Sequence, residues 1–163
     1  MGPSEATLSQ FGDKAQARSL AIANEVPVLQ GTNQATSLEE AKAFYNSLGS
    51  GAAVMIKALA GGGGRGMRPV RKESDLEEAY ARATSEAEKS FGSGELYLEE
   101  MLYPARHVEV QIVGDGDRVV HLWDRECSLQ RQRQKLVEIA PAFGLSDELR
   151  GSMLESAQRI ALA

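Results

Sequence analysis

Lys57 is followed, four residues on, by Gly61-Gly62-Gly63-Gly64-Arg65-Gly66. Glycine reaches positive φ without steric cost and lets a ligand approach the backbone closely. Successive bare N–H groups form a nest for an anion, and a nearby lysine adds a point charge suited to phosphate. The stretch therefore predicts a movable cover over a polyphosphate, with a ligand-free Gly-rich surface loop as the competing reading. Gly61, Gly63 and Gly66 formally satisfy G-x-G-x-x-G, but that fingerprint needs a helix at the turn. Met67-Arg68-Pro69-Val70-Arg71 reads instead as a second strand. A Walker A loop needs Gly-Lys-Ser/Thr at its end, which Gly66-Met67-Arg68 does not supply. Strand, glycine tract, strand describes a hairpin lid.

Two further stretches carry groups of the right type. Lys14 follows a capping Asp13, at a first helical position where the dipole disfavours a cation. That placement is compatible with a functional lysine and equally with a solvated one. Gln130-Arg131-Gln132-Arg133-Gln134-Lys135 is densely polar. As one strand it would present three glutamines on one face and three cations on the other. A solvated strand is the alternative there. His107 and His121 have no Cys or His partners at zinc spacing, so no zinc site is expected.

The elements that must hold these groups are legible in part. Ser4 caps a short helix interrupted at Gly12, and Asp13 with Gln16 opens another to about Asn24. Val26 to Leu29 is extended. Ser37-Leu38-Glu39-Glu40 is a capping box for a helix closed by Gly49, and Ala52 to Ala58 is the strand before the glycines. Ser74-Asp75-Leu76-Glu77 is a second capping box, for a helix to Phe91 ended by Gly92. Glu95 to Met101 is a strand. Arg106 to Val113 alternates with period two, turns at Gly114-Asp115-Gly116-Asp117, and returns over Arg118 to Trp123. Ser146 caps a last helix that continues to Ala163 without a stop signal.

Composition bounds the function. The 163 residues are 42% hydrophobic and 25% charged with net charge −5, ordinary for a globular chain and adverse to non-specific nucleic-acid binding. Cys127 is the single cysteine, so no intrachain disulfide forms and a reducing compartment is expected. No run approaches the ~20 apolar residues of a membrane helix, and no secretory signal opens the chain.

With both halves in view, the sequence resembles the biotin carboxylase family of the ATP-grasp fold. The resemblance rests on Gly2-Pro3-Ser4, Phe11-Gly12-Asp13-Lys14, Val26-Pro27-Val28 with Gly31, and Ile56-Lys57-Ala58 leading into the glycine tract and Met67-Arg68. It continues through Pro104-Ala105-Arg106-His107-Val108-Glu109-Val110-Gln111, Arg125-Glu126-Cys127-Ser128-Leu129-Gln130-Arg131, Gln134-Lys135 and Glu138-Ile139-Ala140-Pro141, in family order along essentially the whole chain. It implies an α+β fold: linker helices over 1–28, an ATP-grasp lid subdomain over 29–101, and the first antiparallel strands of the C-terminal ATP-grasp domain over 102–163.

The implied reaction is ATP-dependent activation of bicarbonate as carboxyphosphate, then transfer of the carboxyl group to N1 of carrier-bound biotin. By the same resemblance Lys14 and Lys57 contact phosphates, with Gly62, Gly63, Gly64 and Gly66 as the lid. Met67 and Leu102 wall the adenine pocket, Glu99 and the Glu100 backbone read adenine, and His107 and Gln130 contact ribose or phosphate. Glu109, Lys135 and Arg133 are the implied catalytic group at the bicarbonate and biotin pocket. Two positions depart from the family pattern: Arg133, usually histidine or asparagine, and Glu100, usually lysine or arginine.

The family's magnesium carboxylates, its bicarbonate arginine and its doubly wound first domain have no counterpart in these residues. The resemblance therefore implies a central fragment, inactive alone. Its implied partners are a biotin carboxyl carrier and a carboxyltransferase, in a homo-oligomeric parent. The implied location is the cytoplasm, or the mitochondrial matrix in a eukaryote. Another ATP-grasp ligase of carbamoyl-phosphate synthetase type, or a nucleotide-binding module without catalysis, are the competing functions.

Overall fold

A computed structural model of the chain describes residues 2–60, 66–132 and 134–163. Gly61 to Arg65 and Arg133 lie outside the described residues, so the expectations placed on Gly62, Gly63, Gly64 and Arg133 have no structural counterpart below. The chain divides into two compact units: Met1–Ser19 with Val28–Tyr103, and Leu20–Pro27 with Pro104–Ala163.

The first unit is built on a three-stranded antiparallel sheet in the order β2-β1-β3, from β1 (Val54–Ala58), β2 (Met67–Val70) and β3 (Leu96–Glu100). Alternation in β1 sends Val54, Ile56 and Ala58 to one face, where they are buried with Val70, Leu96 and Leu98. Helices α3 (Leu38–Ser47) and α4 (Leu76–Phe91) supply Ala41, Leu76, Ala83 and Ala87 to that core. Full burial of each large aliphatic side chain contributes about 1.5–3 kcal/mol. The other face carries Met55, Lys57, Met67, Tyr97 and Glu99. The Ser37–Glu40 capping box of α3 is complete in both directions, and Gly92 ends α4 in the left-handed region. Helix α1 (Glu5–Gly12) keeps Gly12 and breaks at Asp13, whose carboxylate accepts from the Ala15 and Gln16 N–H groups at the start of α2 (Lys14–Ala23).

The second capping box is a correction. Glu73–Asp75 forms a 3-10 turn, Asp75 occupies the cap of α4 without a side-chain bond, and the Ser74 hydroxyl turns to the Asp75 carboxylate. Consecutive acids give the hydroxyl a local acceptor, which competes with the backbone cap.

The second unit holds an antiparallel sheet β4-β5-β6, from β4 (Val108–Gly114), β5 (Val119–Arg131) and β6 (Gln134–Ile139), with α5 (Asp147–Leu162) packed on it. Two expectations fail here. The return strand does not stop at Trp123. It absorbs an extra residue there, with Trp123 at φ 66, and runs on to Arg131. The Gln130–Lys135 stretch is a hairpin rather than one strand. Gln132 takes φ 48, and Arg131 pairs with Gln134 and Gln130 with Lys135. Neither position is glycine or asparagine, so no turn signal marks them. Buried Asp124 ties the sheet to α5 by accepting from the Ala142 N–H (2.8 Å) and from Arg150 Nε (2.9 Å).

Candidate functional site

In the first unit, the open face of the sheet gathers charge. Lys57 and Met67 are direct cross-strand partners, and Lys57 opposes Tyr97 on its other side. Glu99 is one pleat further along the same face, within reach of the Lys57 ammonium. The two form a salt bridge, and Arg18 Nη1 lies 3.8 Å from the second Glu99 oxygen. Arg18 is itself held by Asn33 and the Leu29 carbonyl. An open pocket of about 300 Å³ is lined by Phe11, Lys14, Arg18, Val28, Tyr97 and Glu99 among others. Burial pulls the Lys14 ammonium below the ordinary lysine range, and the Lys57 charge adds to this. Burial, with the Glu99 charge, raises the Tyr97 phenol. Lys57 and Arg18 share the Glu99 carboxylate, and Lys14 lines the same pocket, so the face has capacity for an anion.

Gly31 fixes the strap beside this face. A Cβ there would meet the Leu98 carbonyl oxygen at 2.7 Å. The bare backbone lets Thr32 bond Leu98 through both its N–H and its hydroxyl, each at 2.9 Å.

In the second unit, β4 alternation puts His107, Glu109 and Gln111 on one face, and the register sets Arg125 opposite Glu109. Arg125 bonds Glu109 through Nε and Nη2 and Gln111 through Nη1, and lies 3.4 Å from Glu138. Lys135 bonds the other Glu109 oxygen. Gln130 Nε2 stands 2.6 Å from His107 Nδ1, and His107 Nε2 is 3.9 Å from Glu109. Lys135 first, then Arg125, holds the Glu109 carboxyl down at about 2, and Glu109 in turn raises Lys135.

Two β-bulges assemble this cluster. One extra residue lies on β5 between Glu126 and Leu129, and one on β6 at Leu136. Lys135 and Glu138 are three apart, yet both face Glu109 and Arg125, because a bulge re-aims the side chains that follow it. Val137 and Leu129 pass to the opposite face, where they line an apolar pocket with Ile139 and Phe143.

The expected residues fall as follows. Lys14, Lys57 and Glu99 meet at the first face, beside Met67. Gly66 roots the glycine tract. The Glu100 N–H bonds the Gln30 carbonyl at 2.8 Å, and Leu102 is 54% exposed just past β3. His107, Glu109, Gln130 and Lys135 converge on the second face. Sequence reasoning missed Arg18, Tyr97, Arg125 and Glu138. The signal for Arg125 was the hairpin register that sets it opposite Glu109, which the misread end of β5 concealed.

The carbamoyl-phosphate synthase L chain, ATP binding domain, family model matches residues 13–163. The chain belongs to this ATP-binding family. Its similarity within the family is to biotin-dependent carboxylases. It is 49% identical to pyruvate carboxylase of Staphylococcus aureus over 159 residues, 96% of this chain and 14% of the relative. A Campylobacter jejuni biotin carboxylase solved as an ATP complex superposes with TM-score 0.93 at 42% identity, over 98% of this chain and 36% of that one. The biotin carboxylase domain of Hydrogenobacter thermophilus 2-oxoglutarate carboxylase, solved with ADP, magnesium and bicarbonate, gives 0.91 at 40%, over 98% and 35%. The chain thus spans about a seventh of the curated relative's length and about a third of the solved chains. The α+β architecture is that of this stretch of the biotin carboxylase ATP-grasp fold.

Magnesium fits poorly among the described residues. The grouping of three candidate ligands is Glu109, Cys127 and Glu138. Glu109 is already bridged by two cations, and a thiol is a poor partner for a hard ion that prefers oxygen.

Proposed function

We propose that this chain contributes to ATP-dependent carboxylation of carrier-bound biotin with bicarbonate. The observation that carries the reading is the convergence of His107, Gln130, Glu109 and Lys135 on one sheet face. Membership of an ATP-binding family and likeness to biotin carboxylases support it.

In this reading the nucleotide phosphates lie against Lys14 and Lys57, under Gly62, Gly63, Gly64 and Gly66. Met67 and Leu102 flank adenine, with Glu99 and the Glu100 backbone at its polar edge. Phosphoryl transfer asks a protein mainly to position groups and cancel charge. A bicarbonate oxygen attacks the γ-phosphorus, ADP leaves, and carboxyphosphate carries its carboxyl carbon to N1 of biotin, releasing phosphate. Lys135, tethered by Glu109, meets the anionic reactant without wandering, and Arg133, two residues earlier in sequence, joins it in this role. A cover that closes keeps water from hydrolysing the intermediate. Residues 29–101 act as the lid subdomain and residues 102–163 as the first part of the C-terminal ATP-grasp domain, after linker helices over 1–28. The carrier and a carboxyltransferase are the proposed partners, in a homo-oligomeric assembly of the cytoplasm or mitochondrial matrix.

The test is ADP formation by the protein as encoded, with bicarbonate, with and without biotin. Lys135→Met should abolish biotin-stimulated turnover and leave ATP binding intact. Lys57→Ala should weaken ATP by roughly tenfold to a hundredfold, the loss of one charge-assisted contact. Stimulation by ammonia instead of biotin would overturn the reading in favour of a carbamoyl-phosphate-forming ligase.

A further inference from the structure

We propose that Glu86 is the positioning residue of Gly66 and Arg68: it fixes the start of β2, beside the glycine tract, against α4. Its importance for function rests on the nucleotide reading above. The two Glu86 oxygens are divided. One accepts from the Gly66 N–H at 3.3 Å, and the other accepts from Arg68 Nη2 at 2.8 Å.

Gly66 is a fixed point rather than a loose one. It sits at φ 66, and a Cβ there would come within 2.9 Å of the Ala58 Cβ. Its carbonyl accepts from the Ala58 N–H at 3.0 Å. The other root is held as well, by the Leu59 N–H on the Glu95 carbonyl at 3.0 Å. The described residues on either side of the tract are therefore both held by hydrogen bonds.

Helix α4 packs Ala83 and Ala87 into the core, and Glu86 lies on the flank of that buried stripe, within reach of Gly66 and Arg68. Arg68 needs the same carboxylate. Its Nε is buried and has no partner among the described residues, so Glu86 is the acceptor that its guanidinium finds on the helix. One side chain therefore ties glycine root, strand β2 and helix α4 together. The direct partner of Lys57 on β2, Met67, lies between the two tethered residues and is carried with them.

Glu86→Ala, Glu86→Gln and Arg68→Met in the protein as encoded separate the roles. Amide exchange of Gly66 is read by NMR and ATP affinity by calorimetry, after circular dichroism has confirmed folding. Glutamine keeps an acceptor for the Gly66 N–H, so Glu86→Gln should stay within about twofold of the parent on both readouts. Glu86→Ala should speed Gly66 exchange and weaken ATP, each by about tenfold, the scale of one hydrogen bond. Arg68→Met should leave Gly66 protected, which a general loosening of the hairpin would not. Equal Gly66 protection in Glu86→Ala and parent overturns the inference, as does a Glu86→Gln protein as impaired as Glu86→Ala. If the parent binds no ATP while the exchange pattern holds, the nucleotide reading fails and the anchor stands.

Discussion

Replacing Glu109 by glutamine removes one negative charge from between Lys135 and Arg125 and keeps the shape of the side chain. The carboxyl is held at about 2, against an ordinary 4.5. At about 1.4 kcal/mol per pH unit, that depression corresponds to an upper bound of ~3.4 kcal/mol. The Glu109 side chain is 22% exposed and its two partners about a third exposed, so solvent screening reduces the expected contribution to about 1–2 kcal/mol. A depressed carboxylate stabilises the fold fully above its unfolded value. The contribution is lost as pH falls from about 4.5 through about 2. Urea denaturation of parent and Glu109→Gln should therefore differ by about 1–2 kcal/mol at pH 7, with the gap closing through that acid window. Using the difference between the two proteins cancels the other carboxylates that titrate in the same range. A gap that is independent of pH between 7 and 2, or no gap at pH 7, would refute the charge argument. A carbon NMR titration giving Glu109 a midpoint near 4.5 would do the same.

Two further substitutions probe the frame. Gly31→Ala drives a methyl group against the Leu98 carbonyl oxygen at 2.7 Å and should cost about 1–3 kcal/mol in urea denaturation. Arg150→Met leaves Asp124, 1% exposed, as a buried unpaired carboxylate. It should destabilise by about 3–5 kcal/mol, and pairing it with Asp124→Asn should recover part of the loss.

The first unit was legible because its signals are local. Val54, Ile56 and Ala58 alternate without interruption, Ser37 and Glu40 cap reciprocally, and Gly92 sits where a left-handed residue must end α4. The polar face of the second unit was legible only as a set of residues in family order. Its geometry depends on the bulges in β5 and β6, and nothing in Trp123, Gln132 or Leu136 announces a departure from alternation. Each is held in place by tertiary pairing, which overrides the residue's own preference. Arg125 and Glu138 became neighbours of Glu109 through that pairing, and counting along the chain would have placed Glu138 on the wrong side of Lys135. Ser74 failed for the opposite reason: a local competitor, Asp75, took the hydroxyl that the capping pattern reserved for the backbone.

The added residues in β5 and β6 also couple the histories of the two strands. Glu126 pairs with Ile139 and Gln130 with Lys135, each strand spending four steps between these rungs. The two insertions cancel, and the ladder leaves the irregular stretch in the register in which it entered. Losing Leu136 alone would leave three steps against four and drag the hairpin end out of line with Glu109. Losing one residue from each strand would restore equal lengths. Length changes in this hairpin are thus expected to be epistatic: harmful singly and tolerated as a pair, so that the separation of Lys135 from Arg125 along the chain is free to vary only in steps that both strands share.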